Sequence, residues 1–152
     1  MRRTKPIVSA DYVVGLTDGE GCFYVSVSNS PFYLGGARAG LNFYIKMNEK
    51  DKNLLWKIKN TLECGNVYFQ KEQRKNHAQC YRYTVESHRD IIEKIVPFFK
   101  KHCLQSSSKQ KSFKVFCEIS EIVKTKKHLT KNGIKHIRKL KARMNQKTIG
   151  LA

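Results

Sequence analysis

Acid is what this chain has least of: 12 Asp and Glu stand against 30 Lys and Arg, for a formal net charge of +18. From Lys100 onward only Glu118 and Glu121 are negative. Such an excess destabilises a compact state by self-repulsion unless a polyanion is present, so nucleic acid is the first candidate partner. A membrane surface would ask for one basic amphipathic helix with exposed aromatics, whereas here basic residues run from Arg2 to Lys147. Charge alone leaves acidic protein partners open. The chain also lacks an apolar run of the roughly 18 residues that a membrane span needs. Met1 to Lys5 precede the first helical segment with no apolar core of a signal peptide. Five cysteines (Cys22, Cys64, Cys80, Cys103, Cys117) make an odd number with no C-x-x-C pair. That argues against a structural zinc and for free thiols in a reducing compartment. The expectation is an intracellular protein, of cytoplasm, nucleoid or organelle matrix, neither secreted nor membrane-bound.

Familiar catalytic patterns are missing too: there is no P-loop, no G-x-G-x-x-G and no G-x-S-x-G. The histidines (His77, His88, His102, His128, His136) form no H-x-x-x-H pair and have no cysteine at ligand spacing, so they are expected on the surface. No internal repeat is visible. The chain of 152 residues, 40% of them apolar, is the size of a single domain, 1–152, with a core that needs no staples.

What is there begins at Ser9. Ser9 can cap a helix over about 9–21, S-A-D-Y-V-V-G-L-T-D-G-E-G, along which Gly15 and Gly19 stack on one face. Two glycines inside a helix cost roughly 1 kcal/mol each against alanine, which a close backbone contact would justify. The helix ends in Asp18 and Glu20, placed against its dipole at a cost of about 0.3–1 kcal/mol.

Alternation then predicts strands. Phe23, Val25 and Val27 face one way and Tyr24, Ser26 and Ser28 the other; Leu41, Phe43 and Ile45 face in, while Arg38, Gly40, Asn42, Tyr44 and Lys46 face out. A loop over 29–36 carries Pro and Gly. Leu54, Leu55, Ile58 and Leu62 mark a helix over 49–62 ended by Gly65-Asn66. A hairpin follows: Val67 and Phe69 alternate with Tyr68 and Gln70, and Tyr81, Tyr83 and Val85 with Cys80, Arg82 and Thr84, around a basic loop from Lys71 to Gln79. Ser87 to Asp90 has capping-box spacing and opens a helix expected to break near Pro97. Lys109 to Thr125 reads as a helix burying Phe113, Phe116, Ile119, Ile122 and Val123, and a last basic helix is expected over about 131–147.

Val13 to Gly21, V-V-G-L-T-D-G-E-G, resembles the LAGLIDADG motif of homing endonucleases, and the order of elements fits that family over nearly the whole chain. The resemblance implies an α+β class, αββαββα, with a saddle-shaped antiparallel sheet and extra C-terminal helices. One motif copy implies a homodimer, with Val13, Gly15, Leu16 and Gly19 at the helix–helix contact. It implies that Glu20, with the backbone carbonyl of Gly19, binds a divalent cation, Mg²⁺ or another such as Mn²⁺. Lys109 is implied as the active-site lysine, with Lys111 as the alternative. The outward residues Tyr24, Ser26, Ser28, Arg38, Asn42, Tyr44, Tyr68, Gln70 and Arg82, with Arg74 in the basic loop, are implied to bind double-stranded DNA. Arg38, Asn42, Gln70 and Arg82 carry the donors and acceptors to read base edges in the major groove. Two departures touch the solvent network: Met47 falls where relatives often carry glutamine, and Asp51 where a basic residue is often found. The function implied is an intron-encoded, metal-dependent endonuclease cutting both strands of a long, near-palindromic target. The alternatives are an RNA-binding intron maturase and a DNA-binding regulator without cleavage.

Overall fold

The structure, a computed structural model, describes residues 4–144. Ser9 opens the first helix, α1 (Ala10–Glu20), its side chain accepting the Tyr12 N–H at 3.1 Å. The chain then turns directly into β1 (Gly21–Asn29) and returns as β2 (Ala37–Asn48). A 3₁₀ turn (Glu49–Asp51) leads into α2 (Lys52–Leu62), followed by the hairpin of β3 (Asn66–Gln70) and β4 (Cys80–Val85). All neighbours in the sheet are antiparallel, in the order β1-β2-β4-β3.

One face of this sheet is dry. Phe23, Val25, Leu41, Phe43, Ile45, Tyr83 and Val85 are buried there, as the period of two requires. Fully burying side chains of this size stabilises by about 1.5–3 kcal/mol each. The Tyr83 hydroxyl is satisfied inside the core by donating to the Cys64 carbonyl at 2.7 Å. Leu55 and Ile58 of α2 cover one end. The rest is covered by α3, which is made of His88–Asp90, Ile91–Ile95 and Val96–Lys101, and by α4 (Ser107–Lys124) and α5 (Lys131–Met144). Rings of Phe23, Phe43, Phe99 and Phe116 meet at centroid distances of 5.2–5.5 Å. Phe69, expected inward, is 55% exposed because β3 is a short edge strand with nothing beyond it.

Two expectations change. The helix after Ser87 does not break at Pro97: the Val96 N–H reaches back five residues to the Ile91 carbonyl in a π turn, and the helix continues to Lys101. Pro97 offers no N–H and crowds the turn before it, and the wider π turn makes room while Ile95, Val96 and Phe99 stay buried. The C-cap of α2 is Glu63, at φ 57°, ahead of Gly65. Residues 145–147 of the expected last helix lie outside the described residues, as does Arg2. Among the described residues no helix is long and apolar enough to cross a membrane.

The turn from α1 into β1 depends on Gly21. Its backbone, at φ −77° and ψ 155°, suits any residue; space is what demands glycine. A Cβ there would lie 2.6 Å from Thr17 Cγ2 and 2.9 Å from the Thr17 Cα and carbonyl oxygen. Thr17 cannot yield, being buried with its hydroxyl donating to the Val13 carbonyl at 2.7 Å. Gly15, by contrast, has nothing of its own chain within 4 Å of an added Cβ. Urea unfolding of dilute protein is therefore expected to show Gly21→Ala destabilised by about 1–3 kcal/mol. Gly15→Ala is expected to be stabilised by up to about 1 kcal/mol through helix propensity. Equal losses in the two variants would contradict this account.

Candidate nucleic-acid interface and cleavage centre

Burying one face of the sheet leaves the other to solvent, and register decides which side chains share it. Tyr24 stands opposite Asn42, Ser26 opposite Gly40, and Ser28 opposite Arg38. Lys46 and Tyr68 flank Arg82 from either side, Tyr44 pairs with Thr84, and Gln70 with Cys80. The structure thus brings Tyr24, Ser26, Ser28, Arg38, Asn42, Tyr44, Tyr68, Gln70 and Arg82 onto one surface. Two hollows indent it. One is lined by Ser26, Ser28, Arg38, Gly40 and Asn42 with Glu86, Ser87 and His88; the other by Tyr24, Tyr44, Tyr68, Arg82 and Thr84 among others. Gly40 leaves room in the first for the Ser26 hydroxyl, which would have to rotate to admit a Cβ.

The cations on this face are not equally free. The Arg82 guanidinium lies 4.0 Å from the centre of the Tyr44 ring, and its Nε is buried without an acceptor. The neighbouring Cys22 thiol, then burial, hold the Tyr44 phenol above its ordinary pKa against the opposing pull of Arg82, so at neutral pH it remains a hydrogen-bond donor. Arg74 is clamped: its Nε donates to Glu72 Oε1 and its Nη2 to Glu72 Oε2, both at 3.0 Å, and its backbone N–H adds a third bond at 3.0 Å. These bonds from Arg74 draw the Glu72 carboxyl down to about 2. Lys46 Nζ stands 3.8 Å from the same carboxylate. Two contributors escaped the sequence reading. Arg138 Nη2 donates to Asn29 Oδ1 at 2.6 Å, and Lys141 Nζ lies 5.3 Å from the Tyr24 ring, both reaching β1 from α5. No local pattern announces a long-range packing of this kind.

At the end of α1 the two motif acids have separate surroundings. Asp18 accepts the backbone N–H of Gln105 at 3.0 and 3.2 Å and that of Ser106 at 3.1 Å, which ties it to the start of α4. Ser106 is the N-cap of α4, its hydroxyl accepting the Lys109 N–H at 3.4 Å. Lys109, half-buried, therefore sits in the helical turn that Asp18 anchors, while Lys111 is exposed. Glu20 is exposed, two residues from Asp18.

Gly15 and Gly19 are exposed and Leu16 half-exposed, so they share an open stripe. Val13 does not belong to it. Val13 is 0% exposed, buried with Val14 and Thr17 in its own chain, because it lies four residues from Thr17 on the inner face of the helix. Tyr12, 45% exposed and three residues from Gly15, takes its place; the i, i+3 spacing was the available signal.

The donor set at this helix end suits a hard cation in part. A free carboxylate and last-turn carbonyls such as that of Gly19, which lack intrahelical donors at a helix C-terminus, are oxygen ligands on the negative end of a dipole. Among the described residues no group of three or more His, Cys, Asp or Glu is placed to hold a metal. Met47 is half-buried on the inner face, and the Asn48 side chain caps the Lys50 N–H at 2.9 Å. Two of the histidines expected on the surface are half-buried there: His88 Nε2 donates to the Ala39 carbonyl at 3.0 Å, and its ring meets that of His128 at 5.7 Å. Burial, then His88, lowers the pKa of His128.

Residues 13–120 match the model of the LAGLIDADG endonuclease family. Probable intron-encoded endonuclease 2 of Neurospora crassa is 30% identical over 138 residues, 91% of this chain and 29% of that protein. Probable intron-encoded DNA endonuclease 1 of Mycosarcoma maydis is 33% identical over 102 residues, 67% of this chain and 34% of that protein. The chain thus spans about a third or less of the length of these curated relatives. Among solved structures, the homing endonuclease I-TnaI superposes with a TM-score of 0.80 at 34% identity, over 92% of this chain and 90% of that one. I-SmaMI bound to an uncleaved DNA target in the presence of calcium ions gives 0.83 at 30% identity, over 97% of this chain and 48% of that one. With its four-stranded antiparallel sheet, the order of its helices and a family match over more than half its length, the chain belongs to the LAGLIDADG endonuclease family.

Proposed function

We propose that this chain is one half of a site-specific DNA endonuclease, two copies of which meet through α1 and cut both strands of a long, near-palindromic duplex. The observation that carries this reading is the division between the two acids of the motif. Asp18 is consumed in anchoring α4, whereas Glu20 is left exposed beside an open Gly15–Gly19 stripe. A second α1 on that stripe would bring two Glu20 carboxylates together, and about 1–4 kcal/mol of repulsion at roughly 4 Å would favour cations between them.

The sheet's outward face, with its tyrosines, amides and arginines, lies against base edges in the major groove, and the lysines of α4 and α5 neutralise phosphates. Glu20 and the Gly19 carbonyl would hold Mg²⁺ or Mn²⁺; bound there, the ion would lower the pKa of a water and stabilise charge on the scissile phosphate. Lys109 holds an ammonium near the same helix end, where negative charge develops. The names of the relatives, intron-encoded endonucleases, support an intron-encoded nuclease over a maturase, and DNA-bound I-SmaMI supports a duplex ligand.

Incubation with a duplex library of random sequence and plausible insertion sites, with Mg²⁺ or with EDTA, tests the activity. Specific double-strand cuts are expected with metal only. Glu20→Gln should cut on the order of 100-fold more slowly or worse, each tenfold being about 1.4 kcal/mol of lost transition-state stabilisation. Metal-independent cutting, or full activity in Glu20→Gln, would refute the assignment. A Cβ at position 19 would have nothing of its own chain within 4 Å, so Gly19→Leu should remain folded yet sediment as a monomer; an unchanged dimer rules out the α1 contact.

The Glu72 clamp gives an electrostatic test. Log affinity for duplex DNA should fall with log salt by about 0.9 per phosphate neutralised. Glu72→Gln frees Arg74 and Lys46, so it should bind random duplex more tightly and steepen that slope by about one to two units. Because the folded-state carboxyl is drawn from 4.5 to about 2, the clamp holds at all pH above its ordinary value and is lost only as pH falls through about 2. Acidification to about pH 4 should therefore not mimic the substitution. A flat salt response in both proteins would remove the case for a polyanion.

A further inference from the structure

On the outward face of the sheet acid is scarce, and its two carboxylates differ. Glu72 is committed to Arg74 and Lys46. Glu86 is exposed, and among the described residues it forms no ion pair. It lines both hollows of the face, with Arg38 and Asn42 in one and with Tyr44 and Arg82 in the other, and no other acid among the described residues lines either.

The fold holds Glu86 at this place from both sides. Tyr83 and Val85 are buried, so the period of two puts Arg82, Thr84 and Glu86 on the outward side, the last of them one residue beyond the end of β4. Ser87 then caps α3, its hydroxyl accepting the Asp90 N–H at 3.3 Å, and His88 Nε2 donates to the Ala39 carbonyl at 3.0 Å. With the backbone fixed on either side, a ligand has only the side-chain rotamers of Glu86 to order. Support for the start of α3 does not account for the residue, because Ser87 already caps that helix and Asp90 already places an acid in its first turn.

Toward DNA a carboxylate here is selective. It repels phosphates, and it can only accept hydrogen bonds. The major-groove edge offers it two kinds of donor, the N6 amino group of adenine and the N4 amino group of cytosine. That of adenine stands between two acceptors, N7 of its own ring and O4 of the paired thymine, both of which repel a carboxylate. That of cytosine has an acceptor on one side only, O6 of the paired guanine. We propose that Glu86 is a specificity-determining residue, which accepts a hydrogen bond from the N4 amino group of cytosine at one position in each half-site and weakens binding to every other sequence. The inference rests on the reading of the outward sheet face as a major-groove interface. It adds to that reading a residue outside the four strands whose effects on specific and on random DNA have opposite signs.

The test is selection of bound duplexes from a random library by the wild-type chain, Glu86→Ala and Glu86→Gln. Cytosine is expected at one position per half-site for the wild type. Glu86→Ala should lose that preference and keep the others, while Glu86→Gln, which donates as well as accepts, should shift it to adenine. Replacing the C·G pair should weaken wild-type binding about 5- to 100-fold and Glu86→Ala binding less than about two-fold. On random duplex both variants should bind more tightly, by up to about five-fold, since no carboxylate then faces the phosphates. Urea midpoints of the three proteins should agree, the side chain being exposed. A lowered midpoint in both variants with base preference intact would overturn the proposal, since the side chain would then only support α3. Tighter binding of random duplex by Glu86→Ala with its cytosine preference retained would overturn it as well, leaving repulsion alone. If the wild type enriches no duplex sequence, the sheet reading fails and this inference fails with it.

Discussion

Asp18 accepts N–H groups from residues 87 and 88 positions away, Gln105 and Ser106, and much of the candidate centre depends on that reach. Within α1 the carboxylate is misplaced: it sits at the negative end of the helix dipole, a cost of about 0.3–1 kcal/mol. Seen from α4 it is well placed, at the positive end of a second helix, receiving charge-assisted bonds from groups that no helix can satisfy internally. Two bonds of this kind outweigh the dipole cost. The result fixes the angle between the motif helix and the helix that carries Lys109, and it leaves Asp18 with little capacity for a metal. Glu20, two residues on, inherits none of these obligations.

The same economy of roles governs the sheet. A period of two, with Phe, Val, Leu and Ile on every second position of β1 and β2, commits one face to the core and delivers the other as a continuous polar surface. Antiparallel register then sets neighbours: Arg82 stands between Lys46 and Tyr68, and its guanidinium relieves the crowding of cations by stacking on Tyr44. Glu72 does the equivalent for Arg74 and Lys46 at the hairpin end. Exposed pairs of this kind contribute little to stability. Their effect is on which charges a ligand meets first.

Strands and core were legible because alternation is a direct consequence of backbone geometry; the inward sets around Phe23, Phe43 and Tyr83 follow from it. The motif was legible because Gly15, Gly19, Gly21 and the two acids are costly unless each has a reason. Errors arose where one local rule met a competing one. Pro97 was read as a break, but buried Ile95, Val96 and Phe99 favour continuing the helix and a π turn absorbs the missing donor. Val13 was placed with the glycines although its spacing to Thr17 put it on the opposite stripe. Arg138 and Lys141 were invisible for another reason: their partners Asn29 and Tyr24 lie more than a hundred residues away in sequence, and nothing in a helical period names them.

What the face lacks bears on what it is for. The Arg82 Nε is buried and has no acceptor, and an unmade bond of that kind leaves a desolvation cost of roughly 1–3 kcal/mol in place. Stacking on Tyr44 fixes the guanidinium plane, so its donors are already oriented when an acceptor arrives. A base edge or phosphate reaching the outer N–H groups of the guanidinium would find its side-chain entropy already spent. A chain with 30 basic residues against 12 acidic ones favours such a ligand at long range. Local geometry and global charge thus ask for the same partner, one that carries acceptors and negative charge along an extended groove.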